Sequence, residues 1–253
     1  MTPNGAARGV LIVGATSAIA AEVALRYAAT GARLYVTGRD AVKLEALRHA
    51  LHAAGAAAVL VGRVDVRDAS ARDALVPAAV AALGGIDVAL IAHGVLPDQA
   101  ACDKDVATTL AAFETNAVSV LALLVPLANH CEARRAGTIG VITSVAGQRG
   151  RRENAVYGAS KAAVSVYLQG LRSRLHGAGV AVVDIRPGPV RTPLTAHKTG
   201  GRWFTDVDRA GALTFAALER RADIAYVPWW WGWLVAAGRL VPEWAFKRTN
   251  FRA

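Results

Sequence analysis

The stretch Val10-Leu11-Ile12-Val13-Gly14-Ala15-Thr16-Ser17-Ala18-Ile19-Ala20 decides the fold. Four aliphatic residues in a row, three of them β-branched, read as a short strand buried on both faces. Glycine and small residues then turn the chain, and the alanine-rich run 18–29 has helical character. A strand, a tight turn and a helix open a βαβ unit. Such a turn leaves backbone N–H groups at the head of the helix, where the dipole favours an anion such as a pyrophosphate. Gly14, Thr16, Ser17, Ala18 and Ile19 are the candidate contacts.

Outward from this stretch the alternation continues. Strands are expected over 33–36, 59–64, 87–92, 138–142 and 180–185, with a short seventh at 226–227. Helices are expected over 42–53, 71–83, 110–134 and 155–176, and none is assigned between the sixth strand and Tyr226. This order predicts an α/β, Rossmann-like, doubly wound parallel sheet flanked by helices, with its ligand at the carboxyl ends of the strands. One domain is expected over 1–228, followed by an apolar, Trp-rich tail over 229–253 that is not a separate domain.

A chain of 253 residues with 54% hydrophobic content suits one large core and argues against disorder. Cys102 and Cys131 make no disulfide framework, and no Cys/His cluster has zinc-like spacing. No metal site is therefore expected, and two free thiols fit a reducing cytoplasm. Residues 1–9 lack a long apolar core and a cleavage site, so no signal peptide is expected. The formal charge of +10 favours anionic partners such as nucleotide phosphates or an anionic membrane surface. No basic run interleaves with aromatics and no DNA-binding motif is present, which sets nucleic acid aside.

Thr37-Gly38-Arg39-Asp40 follows the second strand. NAD-specific sites usually place a carboxylate at that strand end to hold the ribose hydroxyls. Here Gly38 takes the position and Arg39 follows, a guanidinium suited to a 2′-phosphate. NADP(H) is expected in preference to NAD(H), and Asp40 reads as a cap of the next helix. Asp65-Val66 ends the third strand, where a carboxylate can accept from an adenine amino group.

Ser144 stands at the end of the fifth strand, and Tyr157-Gly158-Ala159-Ser160-Lys161 follows. On a helix Tyr157 and Lys161 are i and i+4 and share a face, so the ammonium is expected near the phenol oxygen. A free phenol titrates near 10, and a nearby positive charge makes it useful as an acid or base closer to neutrality. Ser144 can hold a substrate oxygen beside Tyr157, and Asn116 on the preceding long helix can anchor a water leading to Lys161.

With Gly14, Asp65, Asn116, Ser144, Tyr157, Lys161 and Pro187-Gly188 in this order, the chain from Val10 to about Pro228 resembles the short-chain dehydrogenase/reductase family. The resemblance implies hydride transfer to or from nicotinamide C4, with Tyr157 as acid/base, Lys161 also on the ribose hydroxyls, Ser144 orienting the carbonyl and Asn116 supporting a proton relay. It places Pro187, Gly188, Val190 and Thr192 at the nicotinamide end, with the Val190 backbone and the Thr192 hydroxyl on the carboxamide. It implies an oligomer built through the helices that carry Asn116 and Tyr157. Two motifs depart from the family: Ala18 and Ala20 replace two loop glycines, and Ile91-Ala92-His93-Gly94 keeps only Gly94 of Asn-Asn-Ala-Gly. His93 reads as a structural histidine or a pocket residue.

Arg149, Arg151 and Arg152 stand between Ser144 and Tyr157 and are candidates to clamp a phosphate. The stretch 146–157, the Ala92-His93-Gly94 loop, Arg191-Thr192 with Ala196-His197, and the apolar tail are similar to the decaprenylphosphoryl-2-keto-erythro-pentose reductases. That resemblance implies a polyprenyl-phosphate-linked ketosugar, a flavin oxidase partner and His197 near the substrate. A ketoacyl or other lipid ketone is the alternative substrate, and a dinucleotide-sensing scaffold the alternative without catalysis. In the tail, Trp229, Trp230, Trp231 and Trp233 precede an uncharged run too short for the roughly 20 residues of a membrane span. A membrane-interface segment, a lid over the pocket and a subunit contact all bury these residues, and the three readings stay open.

Overall fold

The computed structural model describes residues 7–196, 201 and 203–248. Seven parallel strands form one sheet in the order β3-β2-β1-β4-β5-β6-β7. They are β1 (Gly9–Val13), β2 (Arg33–Gly38), β3 (Ala58–Arg63), β4 (Val88–Ile91), β5 (Thr138–Ile142), β6 (Ala181–Pro187) and β7 (Ile224–Val227). The helices are α1 (Ala18–Ala28), α2 (Ala41–Ala53), α3 (Ala69–Leu83), α4 (Gln99–Cys102), α5 (Val106–Phe113), α6 (Ser119–Arg134), α7 (Ala155–Leu175), α8 (Val207–Glu219), α9 (Trp231–Leu240) and α10 (Glu243–Phe246). The doubly wound architecture expected from the alternation is present.

Side chains alternate across a strand, so β1 feeds two cores. Val10 and Ile12 pack with α1, α2 and α8 on one face, and Leu11 and Val13 with α3, α6 and α7 on the other. Both layers exclude water, which is why the central strands β1 and β4 are fully buried and aliphatic. Aspartate caps begin α2, α3, α4 and α5. Asp40 accepts from the Lys43 N–H at the start of α2, and Asp68 from Ser70 and Ala71 at the start of α3.

Two elements differ from expectation. The helix expected over 110–134 starts earlier and is interrupted: α5 and α6 are joined by a π-helical turn, Glu114–Val118, which carries Asn116. Such insertions redirect side chains and occur often at functional sites. The segment without an assigned element contains α8, which packs on α1 and covers the β6–β7 side of the sheet. Strand order reverses between β1 and β4, the crevice where open α/β sheets bind ligands.

Candidate functional site

A cleft of about 460 Å³ opens at this switch point. One wall is the β1–α1 turn. Gly14 has φ +78°, and a Cβ there would lie 2.6 Å from the His93 backbone nitrogen, so conformation and space both require glycine. Ser17 precedes α1 without a side-chain cap bond, and no acidic residue stands in the first turn. The head of α1 is thus open to an anion. Gly14, Thr16, Ser17, Ala18 and Ile19 all line the cleft, so the two loop alanines have not closed it.

At one end the cleft is walled by Thr37, Gly38, Arg39 and Lys43, and by Asp65 and Val66 from the loop after β3. Asp40 is occupied as a helix cap, as expected. Asp65 accepts from the Arg67 N–H at 3.0 Å and still borders the cleft. Lys43 gives this end a second cation that the sequence reading missed; an exposed cation one helical turn past the strand end was the available signal.

His93 and Gly94 form the floor beside Ser144, Tyr157 and Lys161. The Ser119 hydroxyl donates to the Thr115 carbonyl at 2.8 Å, so it accepts from His93 Nε2–H at 2.9 Å. Nδ1 is left as a bare acceptor, buried and without a partner among the described residues. Burial, with help from the Lys161 and Arg39 charges, pushes the imidazole down to about 3 and keeps it neutral. His93 is thus both structural and part of the cleft wall.

Ser144 stands two residues past β5, beside Tyr157 in the cleft, and its Oγ accepts from the Ala146 N–H at 3.1 Å. Burial pushes the Tyr157 phenol upward; the Ser144 hydrogen bond and the Arg151 charge pull the other way. Arg151 is thus a second cation near the phenol, beside the Lys161 ammonium that the helical spacing places over the Tyr157 ring. Lys161 donates to the Ile142 carbonyl at 3.0 Å, with Nζ 5.9 Å from the Tyr157 ring centroid. Desolvation pushes its ammonium down to about 8, opposed by the Asp184 charge. Asn116 is fully buried and off the cleft surface. Its Oδ1 accepts from Val95 N–H at 2.8 Å and its Nδ2 donates to the Val95 carbonyl at 2.9 Å, holding the strand-like segment next to Gly94.

Pro187, Gly188, Val190 and Thr192 line the far end. A Cβ on Gly188 would lie 1.9 Å from Trp231 Nε1, so the tail reaches the back of this segment. Beneath the Ser144 turn lies an ion pair that the sequence reading also missed. Asp184 and Arg186 meet at 2.6 Å, both buried. Asp184 accepts from the Thr143 hydroxyl, while Arg186 donates to Gln148 at 3.1 Å and to the Tyr226 hydroxyl at 3.0 Å. Opposite charges at i and i+2 in an apolar strand were the signal.

The three-arginine clamp is not assembled, for none of the three lines the cleft. Arg149 is drawn away by the tail: it donates to the carbonyls of Gly238 and, at 2.7 Å, Val241, pairs with Glu243 at 3.2 Å and sits over the Phe246 ring. Arg152 is exposed. Arg151 is half-buried beside Tyr157 and feels the Glu153 charge, its guanidinium making no hydrogen bond to another described residue. His197 lies outside the described residues.

Comparison with known proteins places this arrangement. Residues 8–202 match the family model for short chain dehydrogenases. An uncharacterized oxidoreductase of Mycobacterium tuberculosis is 37% identical over 248 residues, covering 98% of this chain and 99% of the relative. A sulfoacetaldehyde reductase of Chromohalobacter salexigens is 36% identical over 196 residues, 76% of each chain. The solved structure of levodione reductase superposes with a TM-score of 0.81 over 91% of this chain and 98% of its own at 22% identity, a likeness of fold. With a family match spanning most of its length and relatives above 30% identity, the chain belongs to the short-chain dehydrogenase/reductase family and is an NAD(P)-dependent oxidoreductase.

Proposed function

We propose that the protein reduces a ketone to a secondary alcohol, using NADPH as the hydride source. The observation that carries this reading is the convergence of Ser144, Tyr157 and Lys161 on the floor of one cleft, with Lys161 Nζ 5.9 Å from the Tyr157 ring centroid. Burial keeps the phenol protonated at neutral pH, the form a proton donor requires. A nicotinamide held in this cleft would supply the hydride to the carbonyl carbon. Ser144 orients the carbonyl oxygen, and Tyr157 gives that oxygen its proton, so hydride plus proton account for the alcohol. Lys161 holds the ribose hydroxyls through its ammonium, and Asn116 keeps the Val95 segment in place beside it. The open head of α1 suits the pyrophosphate, and Arg39 with Lys43 suits a 2′-phosphate.

For the substrate, we infer a ketone that carries an anionic group. Arg151 supports this reading, being a half-buried guanidinium beside Tyr157 that makes no hydrogen bond to another described side chain. A relative named for sulfoacetaldehyde, itself a carbonyl compound with an anionic group, fits the same reading. A polyprenyl-phosphate-linked ketosugar supplied by a flavin oxidase is the member of this class that the sequence resemblance favours. The exposed Val118, Val125 and Val166 on and beside α6 and α7 support pairing of subunits through that layer.

Tyr157→Phe is expected to lower turnover by about 10²–10⁴-fold, the usual worth of a positioned proton donor, with NADPH binding unchanged. Unchanged turnover rejects Tyr157 as the acid. Arg151→Ala is expected to raise KM for a phosphate- or sulfonate-bearing ketone and leave a neutral one alone; equal effects on both reject the anionic class and favour a neutral lipid ketone.

A further inference from the structure

The tail has an anchored side and an open side. On the anchored side Trp231 is 5% exposed and packs on Gly188, Gly232 abuts the Tyr226 ring, and α9 touches the Val145–Gln148 turn that follows Ser144. Arg149 ties down the carbonyls at the end of α9. On the open side Trp233 is 73% and Leu240 84% exposed, two helical turns apart on one face, with Ala236 and Ala237 exposed between them. Trp229 and Trp244, 68% and 63% exposed, flank this face.

Among the described residues, Trp244 has the Arg248 guanidinium 5.9 Å from its ring centroid, and Trp229, Trp233 and Leu240 stand largely in solvent. The charges around them are nearly all of one sign: Arg239, Lys247 and Arg248 against Glu243, which is paired with Arg149. Tryptophan with arginine and lysine at the edges is the composition that favours a headgroup boundary. The helix has ten residues, half of what a span needs, so it suits lying in the plane of a bilayer. A second copy fits worse. A ten-residue helix is about 15 Å long and one face of it offers on the order of 150 Å², against the roughly 800 Å² per partner of a stable interface. Two such faces would also bring their cations together.

We propose that the outer face of α9, flanked by Trp229 and Trp244, docks on the surface of an anionic lipid bilayer. Docking sets the catalytic turn about one helix diameter, roughly 10 Å, from the lipid. A ketone anchored by an apolar chain then reaches Ser144 and Tyr157 without leaving the membrane.

The test uses the full-length protein and vesicles of equimolar phosphatidylcholine and phosphatidylglycerol, with phosphatidylcholine vesicles beside them. No ketone is present, so the result stands apart from the reaction proposed above. Sedimentation with the anionic vesicles and a blue shift of tryptophan emission are expected, both weakened by salt. The combined variant Trp233→Ser, Leu240→Ser, Trp244→Ser is expected to bind at least about tenfold more weakly, with NADPH titration unchanged as evidence of folding. The proposal is overturned if the wild type ignores anionic vesicles, or if the variant binds them equally well. It is also overturned if the substitutions only reduce the mass seen by light scattering, which would make the face a contact between copies.

Discussion

His93 shows how a single side chain records its surroundings. Its imidazole titrates at about 3 in the fold and near 6.5 when free, because the buried ring loses hydration and faces the Lys161 and Arg39 charges. Between these values the unfolded chain binds the extra proton, so stability rises with pH in that window and is lost as pH falls through it. From pH 6.5 to 5 the loss amounts to about 1.6 kcal/mol. His93→Gln has no such proton to bind, so the difference between its urea midpoints at neutral and mildly acid pH is expected to be smaller than the wild type's. Identical acid sensitivity in both would place the titrating group elsewhere. The residue stood out in the sequence because it breaks the Asn-Asn-Ala-Gly pattern, but its tautomer and its missing partner depend on Ser119 and Thr115, which only the folded chain brings near.

At the level of elements, the central strands β1 and β4 were legible because burial on both faces demands unbroken aliphatic runs, and α2 because leucines at 44, 47 and 51 repeat on one face. The Ser144, Tyr157 and Lys161 positions were legible for the same reason: strand end and helical spacing fix them locally. What escaped was set by tertiary acceptors. Arg149 read as a substrate contact beside Arg151 and Arg152, yet its acceptors are backbone carbonyls 89 and 92 residues away, and a backbone carbonyl leaves no mark in a sequence. Through it the tail and the catalytic turn form one unit. Arg149→Ala leaves those carbonyls without their charged donor and is expected to cost about 1–3 kcal/mol in chemical denaturation. Arg152→Ala, at an exposed site, is expected to stay within about 0.5 kcal/mol. Equal small effects for the two would mean that the tail is held by Trp231 alone.

Across the whole molecule, the cleft joins the two halves of the sheet. Its lining runs from Arg39 after β2, past the β1–α1 turn, to Thr192 after β6, so an extended dinucleotide would tie together segments that are distant in the chain. A ligand of this kind binds only the folded state and stabilises it by mass action. At a hundred times its dissociation constant the gain is about 2.7 kcal/mol, which for a chain of this size raises the melting temperature by about 5–11 °C. On the proposed reading, the cations at the Arg39 end would make the gain selective. At equal concentration NADPH is expected to raise the melting temperature more than NADH, because only the former carries the 2′-phosphate that Arg39 and Lys43 meet. Arg39→Ala removes charge-assisted bonds worth about 1.5–3 kcal/mol, roughly tenfold to a hundredfold in NADPH affinity, and should leave the NADH shift where it was. Because the side chain is exposed, the substitution costs the fold itself little, and any lost shift belongs to binding. Should both cofactors stabilise the wild type equally, or should both lose alike in the variant, the phosphate end of the cleft is not where the preference is set.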